Sequence, residues 1–256
     1  MKRISLIIYI FVYYITAASA DNIRIDSLNN NEWEYELNCG INLGGAAPLS
    51  IPREIRSIDS YNPRFNGVIG ADITRWLNKY SHWGLSVGLL IESKSMHTGA
   101  TVKSYHTEVS YDDNSKVTGY WTGYVNTKYS TTLVTMPILA NYRLDNRWKF
   151  RAGFYLSYAI HRDFSGYVTD GYLRQNTPVG QKMLFTEGKR GTYDFSDNLR
   201  RLQPGLQIGA SWMNKKHLCV NADMSLGMSN IFESSFKTVT FNMYPIYLRL
   251  GWSYKF

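Results

Sequence analysis

The stretch "YPIYLRLGWSYKF", Tyr244–Phe256, places a large apolar or aromatic residue at every second position: Tyr244, Ile246, Leu248, Leu250, Trp252, Tyr254 and Phe256. Between them stand Pro245, Tyr247, Arg249, Gly251, Ser253 and Lys255. A helix turns about 100° per residue and would smear this pattern around its cylinder, whereas a strand puts alternate residues on opposite faces. The segment therefore reads as a β-strand with one apolar face and one mixed, glycine-bearing face.

The same period recurs upstream. It runs through "WEYELNCGINLGG" (33–45), more weakly through "FNGVIGADIT" (65–74), and again through "WGLSVGLLIE" (83–92) and "LVTMPILANYR" (133–143). It returns in "WKFRAGFYLSYAIH" (148–161), "LQPGLQIGASW" (202–212) and "LCVNADMSLGM" (218–228). With the closing segment this predicts eight strands. Three connections are short (75–82, 144–147 and 213–217) and four are longer and mostly polar (47–64, 93–126, 162–200 and 229–238). Short and long connections alternate, so they emerge at opposite ends of the sheet. Pro137, Pro204 and Pro245 each remove a ladder donor and are expected to mark bulges or abandoned wall hydrogen bonds.

Two solvents suit such a sheet: a protein layer, as in a soluble sandwich or lipocalin-like barrel, or lipid. Three features favour lipid. Most segments reach the 9–11 residues that a tilted membrane strand needs, whereas ordinary strands cluster at about five or six. Trp33, Trp83, Trp148, Trp212 and Trp252 fall at the short-turn end of their strands, as an interfacial aromatic girdle requires. The opposite face is polar and rich in glycine, which suits the inside of a barrel. A spanning sheet must close on itself, because an open edge in hydrocarbon leaves peptide groups unpaired. The expected fold is all-β, an eight-stranded antiparallel transmembrane barrel with short periplasmic turns and long extracellular loops.

The amino terminus, "MKRISLIIYIFVYYITAASA", combines Lys2 and Arg3, an apolar run and Ala18-Ser19-Ala20. That is the pattern of a cleavable signal peptide over 1–20. Residues 21–32 then form a short periplasmic segment and 33–256 the barrel domain. The whole chain carries a formal charge of +8, from 28 basic and 20 acidic residues, and cleavage lowers it by two. Cys39 and Cys219 are expected to be free thiols.

The inward set gathers Glu34, Glu36, Asp72, Glu92, Arg143, Arg151, Arg201, Asp223 and Arg249, with acids mainly early and bases mainly late. Closure brings strand eight beside strand one, so Arg249 or Lys255 is expected to face Glu34 or Glu36. An eight-stranded barrel is narrow enough to be filled by side chains, and these residues read as a packed network of paired ions. His161, followed by Arg162 and Asp163, offers an imidazole–acid pair at the outer rim, but no serine is placed beside it. No catalytic, cofactor or metal pattern emerges, and an exported chain without a basic recognition motif is not expected to bind nucleic acid.

With its export signal, eight alternating segments and terminal "YLRLGWSYKF", the chain resembles a bacterial outer-membrane β-barrel. Leu248, Leu250, Trp252, Tyr254 and Phe256 resemble the signal read by the barrel assembly machinery during biogenesis. A finer likeness, carried by "LNCGINLGGAAP", "TMPILANYRL", "RAGFYLSYAI" and "LQPGLQIGASW", is to the small barrels of the Bacteroidetes, including the PorT-like family. That resemblance implies outer-membrane lipid as surroundings and a role as an accessory of protein secretion. The residues themselves also suit a non-enzymatic barrel whose loops, with Tyr105, Tyr120, Trp121, Tyr167 and Tyr172, engage an extracellular partner. A small-solute channel and a lipid-modifying enzyme are the remaining readings.

Overall fold

Every second side chain of the predicted segments faces outward and is apolar, and the ladder they form closes on itself. The computed structural model describes residues 32–77, 82–111, 115–145, 147–185, 189–213 and 217–256. The expected signal peptide, 1–20, and residues 21–31 of the segment after it lie outside the described residues. The strands are β1 (Trp33–Ala47), β2 (Ile55–Pro63), β3 (Gly67–Trp76), β4 (Trp83–Tyr111), β5 (Ser115–Arg143) and β6 (Trp148–Gln175). They continue with β7 (Lys182–Phe185), β8 (Gly191–Asp194), β9 (Leu202–Met213), β10 (Leu218–Gly227) and β11 (Tyr244–Lys255).

Eight of them form the ring β1-β3-β4-β5-β6-β9-β10-β11, antiparallel throughout. The seam between first and last strands is sealed from Glu36↔Lys255 to Ala47↔Tyr244. Along the inner part of the ring, outward positions are apolar and exposed: Ile69 at 61% and Leu89 at 58% stand among Leu37, Val87, Ile138 and Ile208. A soluble monomer does not present so continuous an apolar belt to water, so hydrocarbon is its solvent. Trp33, Trp83, Trp148, Trp212 and Trp252 all lie outward near the short-turn end. Trp148 pairs with Trp212 across the ladder, Trp83 packs on Tyr142 at 4.9 Å, and Arg75 lies over the Trp33 ring.

The prolines do not shift the register. Pro137 and Pro245 point inward and Pro204 outward. The β4–β5 ladder skips the positions beside Pro137 and resumes in phase, from Val87↔Ile138 to Leu90↔Thr135. The bulges lie elsewhere, between Val102 and Tyr105, between Thr122 and Tyr124, and between Thr132 and Leu133. Ser104 and Asp170 (φ 54° and 52°) and Gly123 (φ 146°) supply the unusual backbone at the first two. Cys39 faces outward and Cys219 is buried inside the wall, both free.

The long connections are not simple polar loops. β4 and β5 have 29 residues each and β6 has 28, where about ten suffice to cross the bilayer. Of the expected loop 93–126, the described residues 93–111 and 115–126 continue the β4–β5 ladder, and β2, β7 and β8 pair onto the extensions of β4 and β6. Among the described residues β2 pairs only with β4, with two register shifts within its nine residues. In this outer part the apolar side chains point inward. Trp121, Val125, Val168, Leu173 and Phe185 bury themselves there with Phe164, Tyr193, Phe195, Ile231 and Phe232. Trp121 meets Phe185 edge-on at 5.2 Å and Phe164 meets Phe232 at 4.9 Å. The wall thus turns itself inside out on leaving the bilayer: lipid solvates the apolar face below, and water solvates the polar face above.

Candidate functional site

The inward side chains of the membrane part stack in three tiers. In the inner tier Glu34 accepts from Arg143 Nη2 (3.1 Å), Lys149 Nζ (3.0 Å), Lys255 Nζ (2.7 Å) and Trp76 Nε1 (3.3 Å). Lys149 also donates to Glu36, and the Arg143 guanidinium lies 3.9 Å above the Trp76 ring. The middle tier centres on Asp223. Arg151 grips it through Nε (2.5 Å) and Nη2 (2.8 Å), while Arg249 Nε and Gln207 Nε2 each approach to 3.3 Å. Asp72 in the same region accepts from Asn38 at 2.5 Å. Gly88 and Gly209 stand where a Cβ would collide with the carboxylates of Asp72 and Asp223, so glycine makes room for each acid.

In the outer tier Glu92 accepts from Lys94 Nζ (3.0 Å), Asn42 Nδ2 (2.9 Å) and the Thr135 hydroxyl (2.7 Å). Lys94 Nζ sits 5.3 Å from the Tyr155 ring and 5.4 Å from the Tyr247 ring. Charges so deeply buried persist only when paired, and every carboxylate here has a cation or amide donor. Two voids among these tiers measure about 10 and about 20 Å³, room for isolated waters rather than a passage. The unpartnered Oδ1 of Asn221 borders the larger one.

Eight of the nine expected inward charges therefore lie inside the wall. Arg201 does not. It is exposed, and its Nη1 reaches the Tyr158 hydroxyl at 3.4 Å. It precedes Leu202, the first β9 residue paired with β6, so the two-residue period no longer governs it. Of the two expected partners across the closing seam, Lys255 meets Glu34, whereas Arg249 serves Asp223. Lys94 was hidden within the expected loop 93–126, although alternation through Glu92, Lys94 and Met96 would have pointed to it.

His161 is exposed at the outer rim, and the Asp163 carboxylate is taken by Lys128 Nζ (2.5 Å) and the Ser165 hydroxyl (2.8 Å). His82 and His217 bond the carbonyls of Arg143 and Lys255 at the turns. Among the described residues no group of three or more His, Cys, Asp or Glu is arranged to hold a metal. The terminal residues Leu248, Leu250, Trp252 and Phe256 are exposed on the lipid-facing side, with Tyr254 half-buried against His217.

The family described as outer membrane protein beta-barrel domain matches residues 19–233. No curated protein matches the sequence. Among solved structures the chain is similar to Ail, the attachment invasion locus protein of Yersinia pestis, solved with the heparin analogue sucrose octasulfate. Identity is 9%, coverage 88% of this chain and 100% of that one, and the TM-score 0.39. It is also similar to OprG from Pseudomonas aeruginosa (11% identity, 87% and 95% coverage, TM-score 0.37). The outer membrane protease OmpT from Escherichia coli matches at 9% identity, 90% and 98% coverage, and a TM-score of 0.34.

Proposed function

The chain belongs to the outer membrane protein β-barrel family, and on that premise we propose that it is a non-enzymatic display barrel that holds a rigid β-built head above the outer membrane for a partner to engage. One observation carries this reading: β4, β5 and β6 run without interruption from the lipid belt into the aromatic-cored head. A head tied covalently and by ladder hydrogen bonds to the wall is held at fixed orientation, which lowers the ordering cost of binding. The filled lumen favours this over solute conduction. Exposed Lys116 and the half-buried Tyr172 are head positions from which a partner would be contacted.

The test places a photo-crosslinking residue at Lys116 or Tyr172 on the head, and at Asp145 on an inner turn, in intact cells. A protein adduct from the head positions alone supports display. An adduct from Asp145 alone replaces it with the PorT-like secretion accessory, and unitary conductance in planar bilayers replaces it with a small-solute channel.

A further inference from the structure

Above Lys94 the interior opens into a chamber of about 400 Å³. Met96, Ala100 and Val102 line it from β4, Val125 from β5, Phe164 from β6 and Phe241 from the segment before β11. Among the described residues no Asp, Glu, Lys or Arg borders it; Thr98, Thr127, Tyr61 and Tyr105 contribute side-chain hydroxyls. This is within the size range of small-molecule sites, and an apolar cavity is a poor host for water.

The wall beside the chamber is incomplete. β1 parts from β3 at Ile41↔Gly67 but continues along β11 to Ala47↔Tyr244. β2 takes over the edge of β4, from Pro63↔Met96 to Ile55↔Val102, and forms no ladder with β1. The resulting gap is bordered by Gly45, Ala46, Ala47 and Pro48 on one side and by Ile58 and Tyr61 on the other. These residues are small, with Met96 Sδ packed where a Gly45 Cβ would stand, and the hydrogen bond from the Tyr61 hydroxyl to the Gly44 carbonyl, 2.7 Å, bridges the gap. Gly44 adopts φ 146°, a backbone region that favours glycine, where β1 bends away. Leu43 and Phe65, both exposed, stand next to the gap at the top of the apolar belt. Apolar side chains therefore flank the gap on the lipid-facing side as well as on the chamber side.

We propose that the chamber binds an uncharged hydrocarbon chain that enters through the gap between β1 and β2. At a water-like ~30 Å³ per methylene the space holds about a dozen carbons. The lack of lining charge excludes an ionised headgroup from the chamber, and the polar tiers beneath Met96 stop the chain from passing through. This site is independent of the display role.

The full chain is placed in lipid nanodiscs and irradiated with dodecane bearing a terminal diazirine, and the adducts are mapped by peptide mass spectrometry. The expected adducts fall on Met96, Val102 or Phe241, saturate with probe and disappear under excess dodecane, whereas Leu89 and Ile138 label in proportion to probe without saturating. A phosphatidylcholine carrying the diazirine at its chain end distinguishes the sources. Saturable chamber adducts from it assign a membrane lipid's own chain, and adducts from the free probe alone assign a free hydrocarbon. Ala100→Phe, and separately Val102→Trp, fill the space and are expected to abolish the saturable adducts while the barrel remains heat-modifiable. Tyr61→Phe is expected to speed labelling without changing its plateau; an unchanged rate rules out this entry route. Adducts confined to lipid-facing residues in the wild-type chain, or chamber adducts that resist competition, overturn the proposal without reference to any variant.

Discussion

Removing one carboxylate from the middle tier tests whether the lumen is a packed plug. Asp223→Ala strips Arg151 of both its short bonds and leaves Arg249 and Gln207 without a shared acceptor. The Asp223 and Arg151 side chains are 2% and 7% exposed, so water reaches neither freely. Breaking one side of such a pair costs about 3–5 kcal/mol, and the stranded Gln207 amide adds about 1 kcal/mol. The double variant Asp223→Leu/Arg151→Met removes charge from both sides, and exchange of a buried pair for apolar residues is close to neutral. Arg249 still lines the small void it shares with Glu92, so the double variant is expected within about 2 kcal/mol of the parent. Urea unfolding in detergent, followed by far-ultraviolet circular dichroism and gel mobility with and without heating, gives both values by linear extrapolation. A single variant within about 0.5 kcal/mol of wild type refutes the reasoning. The charges would then be hydrated, and the lumen a wet passage.

Trp121→Ala is expected to cost the head about 3–5 kcal/mol through the cavity it leaves; limited proteolysis should then cut the outer β4–β5 hairpin while the membrane part stays protected. Leu89→Arg, within the apolar belt, is expected to destabilise by about 2–4 kcal/mol, whereas Ile58→Arg on β2, equally exposed but above the belt, stays within about 0.5 kcal/mol. Unfolding midpoints of that pair locate the lipid boundary. At the inner turn the backbone N–H groups of Arg147 and Trp148, each 2.7 Å from Asp145 Oδ1, hold that carboxyl below its ordinary range. Its folded pKa is depressed, so its contribution is present above the unfolded value and fades as pH falls through the folded one. The midpoint difference between wild type and Asp145→Ala is therefore expected to narrow below about pH 4.

The membrane part was legible because a single rule, apolar outward, holds from Trp83 to Ile91 and from Val134 to Tyr142. Beyond it the rule inverts. On β5 the apolar residues move from even positions such as Val134, Met136 and Ile138 to odd ones such as Trp121, Val125 and Tyr129. A reading that equates apolar with lipid-facing sees the alternation dissolve there and assigns a loop. The bulges at Ser104 on β4 and at Asp170 on β6 shift the phase again, so no single period spans either of those strands. Lys94 was lost for this reason. Arg201 erred the other way, from extending a period past its last ladder pair. Which ion meets which was also out of reach, since Lys255 lies opposite Glu36 in register yet bonds Glu34. That choice follows from strand tilt and side-chain length inside the closed wall.

Strand β2 has a consequence for crowding. Among the described residues its edge away from β4, beside the gap to β1, forms no ladder, and such an edge ordinarily invites a strand from a neighbouring molecule. Two displacements in nine residues, with Arg56, Asp59 and Pro63 along its length, deny any straight visitor a matching run of donors and acceptors. Copies packed side by side on a cell surface can therefore jostle without stitching into fibres.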